Sequence, residues 1–278
     1  KYFNKFISRY NAKVSIGGDR PSNYKINAKL KGYLAGPWNE NKNKKEEFSV
    51  DLEGGLLRGK GSLKIKKLPL STANIFLERP RDFLGGIDMN LFYNLDTKSF
   101  SSEISSNNSA IKSNKISIDK GLIEFNKSIF GIDFSLLIND SEIPINVEGT
   151  IPINNTDNLD LRLIGNGNFI ELIDIVSNEF FTFKEGEVNL RMIIKGTFDK
   201  PILNGFVAIK DSEIEFYNNI IQDINSLIIF DFDYLEIKNL KAKVGDSGNI
   251  FIRGSLPFYD DYDSRNSKIN LIANKFNI

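Results

Sequence analysis

Four stretches of the chain are dense enough in oxygen, charge or glycine to suggest chemistry. Asp260-Asp261-Tyr262-Asp263-Ser264 offers the hard oxygen donors that calcium takes. It has neither the central Gly nor the terminal Glu of an EF-hand loop, and it reads as a solvated hairpin loop. Asp231 and Asp233 stand two apart on one side of a strand, as a pair of glycosidase carboxylates could. Their neighbours Ile229, Phe232 and Tyr234 alternate with them, so the pair reads as the polar outer side of that strand. Gly165-Asn166-Gly167 stops short of the third Gly of a dinucleotide fingerprint and precedes no strand–helix–strand unit. Lys42-Asn43-Lys44-Lys45-Glu46-Glu47 could touch anionic headgroups, but its acids offset its bases and it reads as a polar loop.

The rest of the inventory narrows the chemistry further. With no Cys and no His in 278 residues, disulfides, thiol nucleophiles, imidazole bases and nearly all zinc or transition-metal sites drop out. We therefore expect no enzyme, no catalytic residue, no metal site and no cofactor. The 36 basic and 36 acidic side chains cancel. A nucleic-acid partner would require a clustered basic excess, so no nucleic acid is expected.

The elements that position these residues are strands. In Tyr24-Lys25-Ile26-Asn27-Ala28-Lys29-Leu30-Lys31 apolar and polar side chains alternate without error, which gives a strand one apolar and one polar face. The same period recurs around Phe48–Leu52, Leu63–Ile65, Ile87–Leu91, Lys115–Ile118, Ile143–Glu148, Leu159–Leu163, Val188–Met192, Ile214–Phe216 and Leu240–Val244. Gly, Asn and Asp cluster between the runs, as hairpin turns require. Two stretches break the period and predict short helices. Phe169, Leu172, Ile173, Val176 and Phe180 fall on one helical face, and Leu70 to Leu77 follows Pro69.

Each expected helix precedes a Gly-containing strand start, at Gly85-Gly86 and at Gly186, and a weak repeat emerges. Gly86-Ile87-Asp88-Met89-Asn90-Leu91 matches Gly186-Glu187-Val188-Asn189-Leu190. Val147-Glu148-Gly149-Thr150-Ile151-Pro152-Ile153 matches Ile252-Arg253-Gly254-Ser255-Leu256-Pro257-Phe258. This predicts a partial β-repeat over 1–67 and β-groove repeats over 68–165 and 166–278. Beginning at Lys1 and ending just after the strand-like run Ile269–Ala273, the chain reads as a piece of a longer protein. No apolar run approaches the roughly 18 residues of a membrane-spanning helix.

One face of such a sheet is wet, while the other carries Ile, Leu, Val and Phe almost without interruption. The 22 Phe residues supply more apolar surface than two short helices could cover. An all-β fold is expected, with a long curved antiparallel sheet that closes toward its apolar face and leaves a groove.

The stretch from Gly186 to Phe258 resembles a known family. Gly196-Thr197-Phe198-Asp199-Lys200-Pro201-Ile202-Leu203-Asn204-Gly205 is similar to the signature of the TamB family, the translocation and assembly module proteins related to the AsmA-like group. Val207–Ile214 and Gly248–Leu256 occupy the places of that family's strand, "dg-x-i" turn and closing segment. Gly59–Leu70 leading to Gly85-Gly86 looks like the cyanobacterial and plastid branch. In the 86–153 copy the Gly-Thr-x-x-x-Pro signature is replaced by Tyr93-Asn94-Leu95-Asp96-Thr97.

The resemblance implies a β-taco, a U-shaped sheet whose apolar groove runs through the periplasm or intermembrane space. Its partners would be phospholipid acyl chains, an outer-membrane assembly barrel of the TamA/BamA type, and the inner and outer membranes. Anchoring in the inner membrane would come from a segment outside this sequence. It implies phospholipid transport between the membranes, with a further part in assembling or translocating outer-membrane proteins. An acyl chain gains about 0.8 kcal/mol per buried CH2, so a dry groove can hold tails while headgroups stay wet.

Alternation in the second repeat assigns the groove lining to Val188, Leu190, Met192 and Ile194, then Val207 and Ile209, then Ile214 and Phe216. Ile228, Phe230 and Phe232 follow, then Ala242 and Val244, and finally Ile250 and Ile252. For any one of these, ordinary core packing explains the side chain equally well, and a one-residue slip would turn a whole row over. Two other classes remain open. An outer-membrane β-barrel also alternates, but Phe125, Phe134, Phe216 and Phe230 lie mid-strand instead of forming girdles. A β-repeat adhesin or scaffold would favour aromatic platforms, and Trp38 is the single Trp.

Overall fold

The computed structural model describes residues 7–35, 46–75, 83–111, 114–139, 141–167, 181–216, 219–232, 234–245, 248–257 and 267–274. Over these the fold is all-β and antiparallel, and the chain divides into two compact units, Lys1–Asp140 and Ser141–Ile278. In the first lie β1 (Ile7–Gly17), β2 (Lys25–Ala35), β3 (Glu46–Gly55), β4 (Lys60–Pro69), β5 (Phe83–Asn94), β6 (Ser99–Ile111), β7 (Asn114–Asn126) and β8 (Ile129–Ile138). In the second lie β9 (Ile145–Pro152), β10 (Leu159–Gly165), β11 (Phe181–Gly196), β12 (Pro201–Phe216), β13 (Asn219–Phe232), β14 (Tyr234–Val244), β15 (Gly248–Pro257) and β16 (Lys268–Asn274). Within each unit, strands adjacent in sequence are hydrogen-bonded neighbours. The repeat limits read from the sequence, 67/68 and 165/166, fall inside β4 and at the end of β10, whereas the compact units divide between β8 and β9.

Period-2 alternation gives each strand its two faces, and tight turns reverse the chain between them. The β7–β8 hairpin turns on Lys127-Ser128, both with positive φ (47° and 77°), the left-handed pair that suits a two-residue hairpin. At that end of the unit Phe100, Phe125 and Phe130 cluster across β6, β7 and β8: Phe100 stacks on Phe125 at 5.4 Å between ring centroids, and Phe130 meets Phe125 and Phe100 tilted, at 5.0 and 6.1 Å. Each such pair adds about 0.5–1.5 kcal/mol beyond area burial.

Of the two expected helices, Leu70–Ile75 forms a 3-10 turn, with the Thr72 hydroxyl donating to the Pro69 carbonyl at 2.7 Å. Residues 76–82 and the helix expected over Phe169–Phe180 lie outside the described residues. The turn expected around Asp211-Ser212 is absent. β12 runs unbroken through it as a 16-residue strand, and the irregularity is a bulge between Ile209 and Ser212, with Asp211 at φ 45°. The extra residue takes up the break in alternation without ending the strand.

Candidate apolar ligand face

Cross-strand pairing fixes which side chains share a face, because directly opposed residues point to the same side of a sheet. In the second unit Val188, Leu190, Met192 and Ile194 on β11 oppose Ile209, Val207, Gly205 and Leu203 on β12. Leu203, Gly205 and Val207 in turn oppose Phe232, Phe230 and Ile228 on β13. Past the bulge, Ile214 opposes Ile221 and Phe216 opposes Asn219. Ile221 faces Val244 on β14, and Ala242 and Leu240 face Ile250 and Ile252 on β15. All fifteen residues assigned to the groove lining therefore lie on one face.

The bulges make this consistent. Ile209 and Ile214 are five apart and would point to opposite sides of a regular strand; the extra residue at Asp211 restores the phase. A second bulge on β13, with Asp223 at φ 52°, does the same between Ile221 and Ile224. The face also holds residues outside the predicted lining, namely Leu161 and Leu163 on β10, Leu203, Ile224, and Leu235, Ile237 and Leu240 on β14. Leu161, Leu163 and Leu240 lie in runs whose alternation the sequence already displays. Ile224 is hidden from it by the bulge.

Burial across the face is uneven. Val188 is 0% exposed, Leu190 4%, Met192 8% and Ala242 7%, whereas Phe216 is 43% and Phe232 54% exposed. Burying each of the covered aliphatic side chains stabilises by about 1.5–3 kcal/mol. Among the described residues of this face none is charged. Its polar members include Ser212 and Ser226, both buried, and the Ser226 hydroxyl has no hydrogen-bond partner.

The first unit repeats the arrangement with residues outside the predicted set. Val50 faces Ile65, which faces Met89, which faces Ile104; Leu52 faces Leu63, which faces Leu91, which faces Ser102. Ser102 then faces Ile123, and Ile123 faces Ile132. Ser102 is 2% exposed and its hydroxyl has no partner either. Tyr93 closes one end of the row, its hydroxyl donating to the Gly55 carbonyl at 3.0 Å. Burial raises its phenol above the ordinary value.

The opposite face carries the charge. Arg162 pairs with Glu148 at 2.8 Å, Lys195 with Asp160 at 3.2 Å, and Lys184 with Glu215 at 2.7 Å. The hydrogen bond and charge of Glu215 raise the Lys184 ammonium above its usual value. Apolar side chains also stand on this side: Phe206 opposes Ile229, Ala208 opposes Leu227, and Ile193 and Ile202 stand opposite Arg162 and Lys195.

Of the other candidate stretches, Asp231 is exposed on the polar side at the end of β13, while Asp233 is outside the described residues. Asp260–Ser264 and Lys42–Lys45 are outside them too. Gly167 is bound to β11, its N–H donating to Asn189 Oδ1 at 2.9 Å and its carbonyl accepting from the Val188 N–H at 3.0 Å. Those groups are thereby committed to the sheet.

No family model, curated protein or solved structure matches the chain. The resemblance carried by Gly196–Gly205 and Gly248–Leu256 stands on those residues alone.

Proposed function

We propose that this chain is a segment of a TamB-like envelope protein whose apolar sheet face forms a groove that shields acyl chains as phospholipids pass between the inner and outer membranes. The observation that supports it best is the uncharged face of the second unit, on which Val188, Leu190, Met192, Ala242 and their neighbours align across five strands. A tail on that face exchanges water for methyl and methylene groups along its whole length, and no catalytic group is needed. Curvature of the sheet toward the covered β11 side chains would make the face a groove. The open positions at Phe216 and Phe232 would be where a tail enters or leaves. The partner barrel of the outer-membrane assembly class, the periplasmic location and the inner-membrane anchor belong to the same reading.

Native mass spectrometry of the purified chain, with extraction of co-purifying lipid, tests it against a Phe230→Asp variant whose fold is verified by circular dichroism. Phospholipid present in the wild type and lost in the variant supports the reading. A folded, lipid-free wild type that also takes up no added fatty-acyl probe sinks it.

A further inference from the structure

One end of the first unit's sheet has a composition that an acyl-binding face does not call for. Strands alternate in direction, so the turns at 18–24, 56–59, 95–98 and 127–128 all lie at that end. Hairpin turns are ordinarily polar. These carry or adjoin Leu56, Leu57, Leu95 and Ile129, which are 38%, 60%, 37% and 47% exposed. Main-chain bonds tie the first three turns into one rim. The Leu56 N–H donates to the Tyr24 carbonyl at 2.9 Å, the Leu95 N–H to the Gly59 carbonyl at 2.9 Å, and the Gly59 N–H to the Asp96 carboxylate at 3.1 Å.

Charge at the rim leans positive. The four turns hold Arg20, Arg58, Lys98 and Lys127 against Asp19 and Asp96, and Asp96 is already engaged by Gly59. Beside them a cleft of about 670 Å³ opens, with Lys25, Lys60, Glu53 and the 55%-exposed Phe92 among its lining. Neighbouring strands lie about 4.8 Å apart, so hairpin tips recur every ~10 Å and the apolar side chains, on three successive tips, form a row about 20 Å long and one or two residues wide. That is too narrow for a protein partner, which needs a patch of about 800 Å² per side. It suits a bilayer interface, where apolar side chains sink about 5–10 Å and basic ones meet phosphates.

We propose that this rim is a membrane-contact surface. It sits edge-on against an anionic phospholipid bilayer, with Leu56, Leu57, Leu95 and Ile129 at the boundary of headgroups and acyl chains. Arg58, Lys98 and Lys127 lie among the phosphates, and the cleft takes a headgroup. Such contact does not require the apolar face to carry lipid.

Co-sedimentation with vesicles of phosphatidylcholine plus phosphatidylglycerol, and of phosphatidylcholine alone, tests it. The wild type is expected to bind the anionic vesicles and to be released by salt. Leu57→Asp and the double variant Arg58→Glu/Lys98→Glu should each weaken binding on the order of tenfold, with unchanged circular dichroism. The milder Leu57→Ser should weaken it in the same direction. Arg162→Glu, an exposed charge reversal on the charged side of the second unit, should bind vesicles as the wild type does, and the rim variants should keep whatever acyl uptake the wild type has, so membrane contact and acyl binding are separate readouts. A wild type that stays in the supernatant with anionic vesicles overturns the proposal. So does a folded Leu57→Asp variant that still binds, or vesicle binding that Arg162→Glu abolishes.

Discussion

Met192 on β11 lies directly opposite Gly205 on β12, with no room between the strands for a β-carbon. One built on Gly205 would stand 2.9 Å from the Met192 Cα and 2.0 Å from the Arg191 carbonyl oxygen. Gly205 also has φ at +151°, which L side chains avoid. Gly149 and Gly254, the paired positions of the sequence repeat, share this state, with φ at +139° and +159° and carbonyl oxygens 1.9 and 2.0 Å from the added carbon. The glycines that carry the sequence repeat are thus places where one strand is pressed against the next.

Gly205→Ala and Gly254→Ala should each destabilise the chain by about 1–3 kcal/mol, the usual cost of a strained backbone position. Gly17→Ala is the control. Its added carbon would meet nothing within 4 Å, and it should be neutral or stabilising by up to about 1 kcal/mol. Denaturant titration followed by far-ultraviolet circular dichroism measures all three. An unaffected Gly205→Ala would mean that β11 and β12 pair in a register other than the one that sets Met192 against Gly205.

The face lends itself to a second comparison, because its members differ in burial and not in chemistry. Leu190→Ala, at a 4%-exposed position, should cost about 2–5 kcal/mol. Phe232→Ala, at a 54%-exposed position, should cost less than about 1 kcal/mol even though it removes a larger side chain. In lipid extraction the order should reverse if the proposed groove opens at Phe232. Equal costs would mean that the two positions are not differently covered.

How much of the fold and the face is legible in the sequence depends on phase. Where alternation runs without interruption, as in Tyr24–Lys31 or Val188–Ile194, counting by two assigns every side chain to its face. It does so because a strand has only two sides. The faces of Ile214 and Ile224 are not legible in that way. Asp211 and Asp223 enter the left-handed region and insert a residue, and nothing in an Asp between polar neighbours marks it as a bulge instead of a turn. The resemblance of Val207–Ile214 to the TamB pattern implies a turn at Asp211-Ser212, where the strand in fact continues. Ile214 and Phe216 still fall on the same face as Val207, because a turn and a one-residue bulge both restore the apolar phase. Burial is the least legible property, since Val188 and Phe232 are equally apolar in sequence yet one is sealed and the other open.

Serine hydroxyls on the two units' faces give a third test. Ser109 is 3% exposed and donates to the Gly86 carbonyl at 2.6 Å, whereas Ser102 and Ser226 are as deeply buried without a partner. A buried hydroxyl that makes its bond contributes about 1 kcal/mol, and one that makes none has only its desolvation cost. Ser109→Ala should therefore destabilise by about 1 kcal/mol, while Ser102→Ala and Ser226→Ala should be neutral or stabilising. Thermal or denaturant melts of the three variants decide it. A clear loss in Ser226→Ala would show that its hydroxyl bonds to something in solution.

Alkaline stability offers the last test, and its sign follows from Tyr93 and Lys184. Burial raises the Tyr93 phenol above its unfolded value of about 10, and Glu215 raises the Lys184 ammonium above its own. In both cases the folded chain holds the proton more tightly than the unfolded chain does. The stability they contribute is then fully present below about pH 10 and is lost as pH rises through the folded values. Tyr93→Phe removes the bond to the Gly55 carbonyl, costing about 0.5–1.5 kcal/mol at neutral pH, and should flatten part of the alkaline fall. Lys184 is an exposed pair, and Lys184→Met should change little at neutral pH. Unfolding free energy measured from about pH 8 to about pH 11.5 in wild type and Tyr93→Phe separates the contributions. A fall above about pH 10 that is identical in the two would place the phenol of Tyr93 in water and remove it from the covered end of the apolar row.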